Sequence, residues 1–285
     1  MINGPWSIII DYRRAVIDHL QRLKNLIRFL LLAFWTVAAL PVQAQFALSR
    51  QDPNEVILSV LGTMPHAGGY SASSETTRRL QSAVQPRNGL MVLPELARPS
   101  YCSGATYLVF LKALQFLNRR ALDSNPALID ALLIRGQPDG VGVWGRWNAN
   151  GPGTACLFQE LRLGRNFSSF DLARPGDFMK IFWTAAVGRA EHGHSVIYLG
   201  RETSQGVEMV RFWSSNQPLG FGEKVVPRAR IASAIFSRLE NPENIGRAPA
   251  LPLRNAYLAG LIRKDSSLME ALGQCGIYRL PGESP

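Results

Sequence analysis

An α+β fold, with N-terminal helices packed on a small antiparallel β-sheet, is predicted by three observations. Between residues 102 and 118, Ala105, Leu108, Val109, Leu111 and Leu114 recur at helical spacing. Between residues 178 and 213, three short apolar runs bounded by Gly- and Pro-containing turns have the length and composition of strands. The helical patterns come before the strand patterns and do not alternate with them, which is the order of an α+β chain. With 285 residues, 46% of them hydrophobic and 18% charged, the chain can bury a sizeable core and lacks a disordered composition.

Taken in order, the chain opens on an export signal. Arg13, Arg14, Arg22, Lys24 and Arg28 precede the apolar stretch 29–40, broken only by Thr36, and Pro41-Val42-Gln43-Ala44 supplies small residues where a signal peptidase reads. Residues 1–44 are therefore expected to be a signal peptide cleaved after Ala44, or an anchor held in a membrane through residues 29–40. The stretch is short of the ~20 apolar residues that a spanning helix needs. Either outcome places residues 45–285 outside the cytoplasm, in the periplasm or cell envelope.

After a linker at 45–51, helices are expected at 54–61 and 74–84, and Asn88-Gly89 marks a turn before an extended piece at 90–94. The long helix from residue 102 ends near Asn118-Arg119-Arg120, and Asn125-Pro126 starts another over 127–134. Residues 140–153 are rich in Gly, Asn and Trp; Trp144 and Trp147 would suit a substrate groove if exposed, and otherwise simply pack. A helix is expected at 156–163, then a turn at Arg174-Pro175-Gly176-Asp177, then strands at 178–183, 195–199 and 206–213. Apolar residues flanked by Arg228, Arg230 and Arg238 suggest a helix over 231–237. A loop over 241–253 and helices at 253–262 and 267–272 complete a C-terminal helical extension.

Of the net charge of +10, the five cations and two acids of residues 1–44 account for +3, and the remainder carries +7. That charge favours an anionic partner, but no basic helix stripe with interleaved aromatics points to nucleic acid. Three cysteines in an exported chain leave one over if two pair, and Cys156 with Cys275 is the expected disulfide once Cys102 is set aside.

The chemistry centres on Cys102. A Pro-Ser turn leads into the helix, so the thiol sits on its first turn, where unpaired amides and the positive end of the macrodipole favour an anion. About ninety residues on, Glu191-His192-Gly193-His194 leads into a strand-like run. A thiolate at a helix start with an imidazole from a strand is what cysteine nucleophiles require. His194 adjoins the strand, whereas His192 lies in the glycine loop. His-x-His also occurs in metal sites, but no second spaced ligand pair accompanies it, so neither metal nor cofactor is expected.

These segments together resemble the NlpC-type cell-wall cysteine peptidases, relatives of the CHAP amidases. Tyr101-Cys102-Ser103-Gly104 with its apolar helix is similar to their Asp-Cys-Ser-Gly helix, Pro175-Gly176-Asp177 to their turn, and His194-Ser195-Val196-Ile197-Tyr198-Leu199-Gly200 to their histidine strand. The resemblance covers about residues 98–217, inside a hydrolase domain of 45–285 with a core of about 90–220.

It implies a papain-like fold in which Cys102 attacks an amide carbonyl in a peptidoglycan stem peptide and His194 moves the proton. A third group on the next strand would orient His194; Asn216 is preferred, then Ser214, with Ser215 also on that segment. Tyr101 stands where the family has an acid and would line the cleft or help hold the oxyanion, as would Ser103. Asp177 reads as a carboxylate that fixes its turn. The alternatives are an N-acetylmuramoyl-L-alanine amidase of the same fold, or a non-catalytic protein that binds the cell wall or a partner.

Overall fold

The computed structural model describes residues 51–278 together with Gln21 and Lys24. Apart from Gln21 and Lys24, the export signal expected over 1–44 and most of the linker after it lie outside the described residues. Among the described residues no helix is long and apolar enough to cross a membrane.

Helices begin where the sequence supplies caps. In α1 (Pro53–Leu61) the Asp52 side chain accepts from the Asn54 amide, and Pro53 occupies the first turn, where its missing N–H is no loss. After a short β1 (Ala67–Gly68), Ser73 caps α2 (Ser74–Ser82) in the same way. The hairpin of β2 (Val84–Pro86) and β3 (Leu90–Val92) turns at Asn88 and Gly89, both at positive φ.

Next comes α3 (Cys102–Leu117), whose residues from Ser103 to Leu111 are all buried. A helix apolar on every side belongs in a core, and this one packs against α1 and the sheet. Behind it follow α4 (Arg119–Ser124), α5 (Pro126–Leu132), α6 (Gly142–Trp147) and α7 (Gly153–Leu161).

The sheet is larger than the sequence suggested. Its order is β1-β9-β8-β7-β5-β10-β4, with every neighbouring pair antiparallel. The three expected strands are β5 (Phe178–Phe182), β7 (His194–Ser204) and β8 (Val207–Asn216). They are joined by β4 (Gly164–Phe167), β9 (Gly220–Pro227) and β10 (Ser233–Leu239), while β6 (Val187–Gly188) pairs outside this sheet with Asp265–Ser266.

The helix expected over 231–237 is thus a strand. It runs between β5 and β4 and hydrogen-bonds to both, a pairing that overrides any local helical preference. The region beyond residue 217 is accordingly more than a helical extension, since β9 and β10 complete the sheet. Of the helices expected there, α8 is short (Ala256–Gly260), α9 covers Leu268–Gln274, and the expected loop holds a 3-10 run, Pro242–Ala250.

Strand alternation divides the core. Phe178, Ile197 and Trp213 join the α3 side with Leu108, Phe110 and Phe158. Met179, Ile181, Val196, Tyr198, Val210 and Phe212 fill the opposite face.

Asp177 joins the two halves of the sequence. Its carboxylate accepts from Arg238 Nε at 2.8 Å, a terminal Arg238 nitrogen at 2.6 Å, Asn54 Nδ2 at 2.9 Å and the Arg174 amide at 2.7 Å. The carboxylate therefore fixes its turn, and it also neutralises a cation buried on β10.

Candidate active site

Cys102 is the first residue of α3, and Tyr101 before it has extended backbone (φ −129°, ψ 167°) and gives no side-chain cap. The first-turn amides are therefore not occupied by a capping side chain, and the positive helix end faces the thiol. Aromatic packing fixes where that end lies. Trp147 stacks on Phe110 with 4.7 Å between ring centroids and meets Phe178 of β5 edge-on at 5.2 Å, clamping α3 to the sheet.

His194 opens β7 and is held between Trp183 and Phe212, at ring-centroid distances of 6.2 and 5.8 Å. Asn216 closes β8. Its Nδ2 donates to Gly222 O at 2.8 Å and Ser214 O at 3.4 Å, so Oδ1 is the atom presented to His194 Nε2, 3.1 Å away. Oδ1 can only accept, and Nε2 must carry the proton. In the neutral ring Nδ1 is then the base and is left to the thiol.

Burial alone would raise the Cys102 thiol. The hydrogen bond and charge of His194, the charge of Lys180 and a hydrogen bond from the Ser195 backbone outweigh it and bring the thiol from 9.0 to about 6.

Two pockets flank this group and share Tyr70. One, of about 360 Å³, holds Cys102 with Tyr101, Ser103, Asp139, Asn148 and Lys180. The other, of about 280 Å³, holds His194 and Asn216 with Trp183, Lys224 and Arg230. Burial, with the charges of Cys102 and Tyr101 adding to it, pushes the Tyr70 hydroxyl up to about 12, so it stays protonated beside the thiol.

Several residues in these walls carry no motif in the sequence. Lys180 lies on β5 within an apolar strand. Asp139, raised by burial, accepts from the Asn150 amide at 3.0 Å. Alternation along β5 was the available signal for Lys180: a charged residue in a strand buried on both faces has to be accounted for.

The structure brings Cys102, His194 and Asn216 together and revises other expectations. Ser214 donates to Ser195 O at 2.7 Å, and Ser215 to Ser100 O at 2.9 Å, so both bind backbone rather than the imidazole. Ser103 lines the cleft, but its proton goes to Asn148 Oδ1 at 2.6 Å and is not free for an oxyanion. Tyr101 is buried at the cleft wall, its hydroxyl 3.4 Å from Thr77 Oγ1. His192 is an exposed loop residue with Nε2 3.1 Å from Arg189 O.

Trp144 and Trp147 cannot form a substrate platform. They are 1% and 0% exposed, on a helix, with their rings in the core beneath α3, so of the two readings packing holds. Trp147 Nε1 instead donates to Ser103 O at 3.1 Å and Thr106 Oγ1 at 3.2 Å. Cys156 and Cys275 do meet, but as buried free thiols with their sulfurs 3.8 Å apart, not as a disulfide.

The arrangement can form a thiolate, hold an imidazole in one tautomer and offer a helix amide beside the sulfur. Comparison with protein-family models, curated proteins and solved structures finds no match for this chain.

Proposed function

We propose that this chain is an exported cysteine hydrolase of the NlpC-type, papain-like kind, cleaving amide bonds in peptidoglycan stem peptides. The observation that carries the reading is the Cys102–His194–Asn216 relay, in which the Asn216 amide is fixed by two carbonyls and in turn fixes the imidazole. In the proposed reaction His194 Nδ1 takes the thiol proton, Cys102 Sγ adds to the scissile carbonyl, and the Cys102 backbone N–H stabilises the oxyanion. His194 Nδ1–H then gives its proton to the leaving amine, which departs and leaves a thioester. Water, deprotonated by the same nitrogen, adds to the thioester and releases the acid and the thiolate.

The substrate class draws support from charge. Because His194 protonates the leaving amine, the pocket on its side receives the leaving fragment. That pocket is lined by Lys224 and Arg230 and by no carboxylate, which suits a peptide rich in free carboxylates. The +7 outside residues 1–44 would draw the enzyme to an anionic wall.

The test is digestion of purified muropeptides followed by mass spectrometry, comparing the unmodified chain with Cys102→Ala. Fragments shortened within the stem peptide, and absent with Cys102→Ala, are expected. Products cut between the sugar lactyl group and the first alanine would move the assignment to an amidase. Equal turnover by Cys102→Ala would end the reading.

A further inference from the structure

Three cations are buried among the described residues: Arg146, Lys180 and Arg238, at 0%, 5% and 4% exposure. Arg146 pairs with Glu160, and Arg238 with Asp177. Lys180 has no carboxylate within ion-pair distance among the described residues. Its Nζ reaches only neutral acceptors, Ala149 O and Ser195 Oγ, each at 3.3 Å. An unpaired buried ammonium costs several kcal/mol, so an anion that completes it should lie close by.

The acids nearby are already engaged. Asp139 accepts from the Asn150 amide at 3.0 Å, and the Glu191 carboxylate accepts from the Trp183 amide at 3.1 Å and the Gly193 amide at 2.9 Å. What remains is the sulfur, since Lys180 and Cys102 line the same cleft. The cross-strand register pairs Lys180 with Ser195 and Ile181 with His194, which puts Lys180 and His194 on opposite faces of the β5–β7 pair. Gly193 makes room for this: at φ +79° it has no side chain, and a Cβ there would come within 2.6 Å of Lys180 Cε.

Resting on the reading of Cys102 as the nucleophile, we infer that Lys180 is a positioning residue, a standing counter-cation that holds Cys102 as a thiolate whether or not His194 carries its second proton. The groups around the sulfur are then His194 on β7, Lys180 on β5, Asp139 before α6, Glu191 and His192 in the loop before β7, and Tyr70 and Tyr101 on the α2 side. In this set Lys180 is the one amine, a cation independent of the imidazole. The thiolate and the imidazolium are thereby uncoupled: deprotonating His194 removes the general acid without removing the nucleophile. Burial, the largest influence, lowers the Lys180 ammonium, and the charges of Cys102, Asp139 and Glu191 act against it.

The test is the pH profile of iodoacetamide alkylation at Cys102, read by mass spectrometry, for the unmodified chain, Lys180→Met, His194→Ala and the double variant. Lys180→Met keeps the stem beneath Gly193 and removes the charge. Its midpoint should rise by on the order of one unit. His194→Ala should keep a midpoint below the ~8.5 of a free thiol, and the double variant should reach or pass it, since burial is then left to raise the thiol. A Lys180→Met profile that overlays the unmodified one would overturn the inference. So would His194→Ala alone reaching ~8.5, an outcome that needs no change at Lys180 and decides the matter if Lys180→Met fails to fold. An uncoupled thiolate in a chain that cuts no muropeptide would uphold the role of Lys180 and sink the proposed substrate.

Discussion

The lowered thiol is best tested through its pH profile, because the rate at neutral pH discriminates poorly. With Cys102 at about 6 rather than 9.0, the thiolate fraction at pH 7 is ~90% instead of ~1%. A less basic thiolate is also a weaker nucleophile. With a Brønsted coefficient of ~0.4–0.5, three units of basicity remove a factor of ~15–30. The net advantage at pH 7 is therefore only about three- to sixfold, whereas at pH 5 the thiolate ratio grows to ~900 and the net advantage to about thirty- to sixtyfold. The assay is alkylation of the native chain by iodoacetamide from pH 4.5 to 9.5, with the modified cysteine identified by peptide mass. Cys156 and Cys275 are buried, and burial raises Cys275 well above its ordinary value, so neither should label first. The expected curve rises through about pH 6 and is flat by pH 8. A rate that climbs tenfold per unit up to pH 9 would refute the electrostatic reading of the site, whatever the chain later proves to hydrolyse.

Asn216→Ala removes the acceptor for His194 Nε2–H. Turnover should fall about ten- to a hundredfold, the ~1.5–3 kcal/mol of one hydrogen bond to a charged ring, and steady-state kinetics on a muropeptide would read it. Asp177→Ala leaves Arg238 buried without its partner and should cost about 3–5 kcal/mol in urea unfolding. Replacing both by Asp177→Leu and Arg238→Met should recover much of that loss. Trp147→Phe keeps the ring packing but removes the donor to Ser103 O and Thr106 Oγ1; kcat should drop with KM unchanged, whereas a substrate platform would show a higher KM. Mild oxidation with oxidised glutathione should join Cys156 to Cys275, seen as a 2 Da loss by intact mass. That link would close 119 positions of chain and raise stability by ~2–4 kcal/mol.

How much of this was legible beforehand follows from what kind of force sets each feature. The α3 helix, the Pro175-Gly176-Asp177 turn and the starts of β5 and β7 are written in local periodicity and turn chemistry, and each was readable there. Asn216 was readable as well, because alternation along β8 puts it on the face of Val210 and Phe212, the face to which His194 also turns. The identity of β10 was not readable. Its pairing partners lie some fifty and seventy residues away, and its flanking arginines suggested a helix before Arg238 was known to be matched by Asp177. The tryptophans were open for a related reason: a groove and a core both use Trp, and only the packing of α6 beneath α3 decides for the core. Lys180 is the clearest case, since one lysine in an apolar strand states that a charge is buried but not what faces it.

The rigidity of the relay has its source outside the relay. A hydrogen bond from Asn216 to His194 can orient a ring, but it cannot fix the separation of a helix start from a strand end. That separation is set by the contacts of α3 with α6 and the sheet: Trp147 bridges Phe110 on α3 and Phe178 on β5, and its indole N–H is bound one residue past Cys102. On the strand side, Ser214 ties β8 to β7 at Ser195 O, and Ser215 ties β8 to Ser100 O, just before α3. The two serines that seemed alternatives to Asn216 thus hold the helix start and the histidine strand in register. A site whose chemistry needs sulfur, imidazole and amide aligned to within a few tenths of an ångström rests on close packing on one side and backbone-bound hydroxyls on the other. This explains why Cys102 and His194 are only partly buried while almost everything that positions them, Asn216 included, is buried.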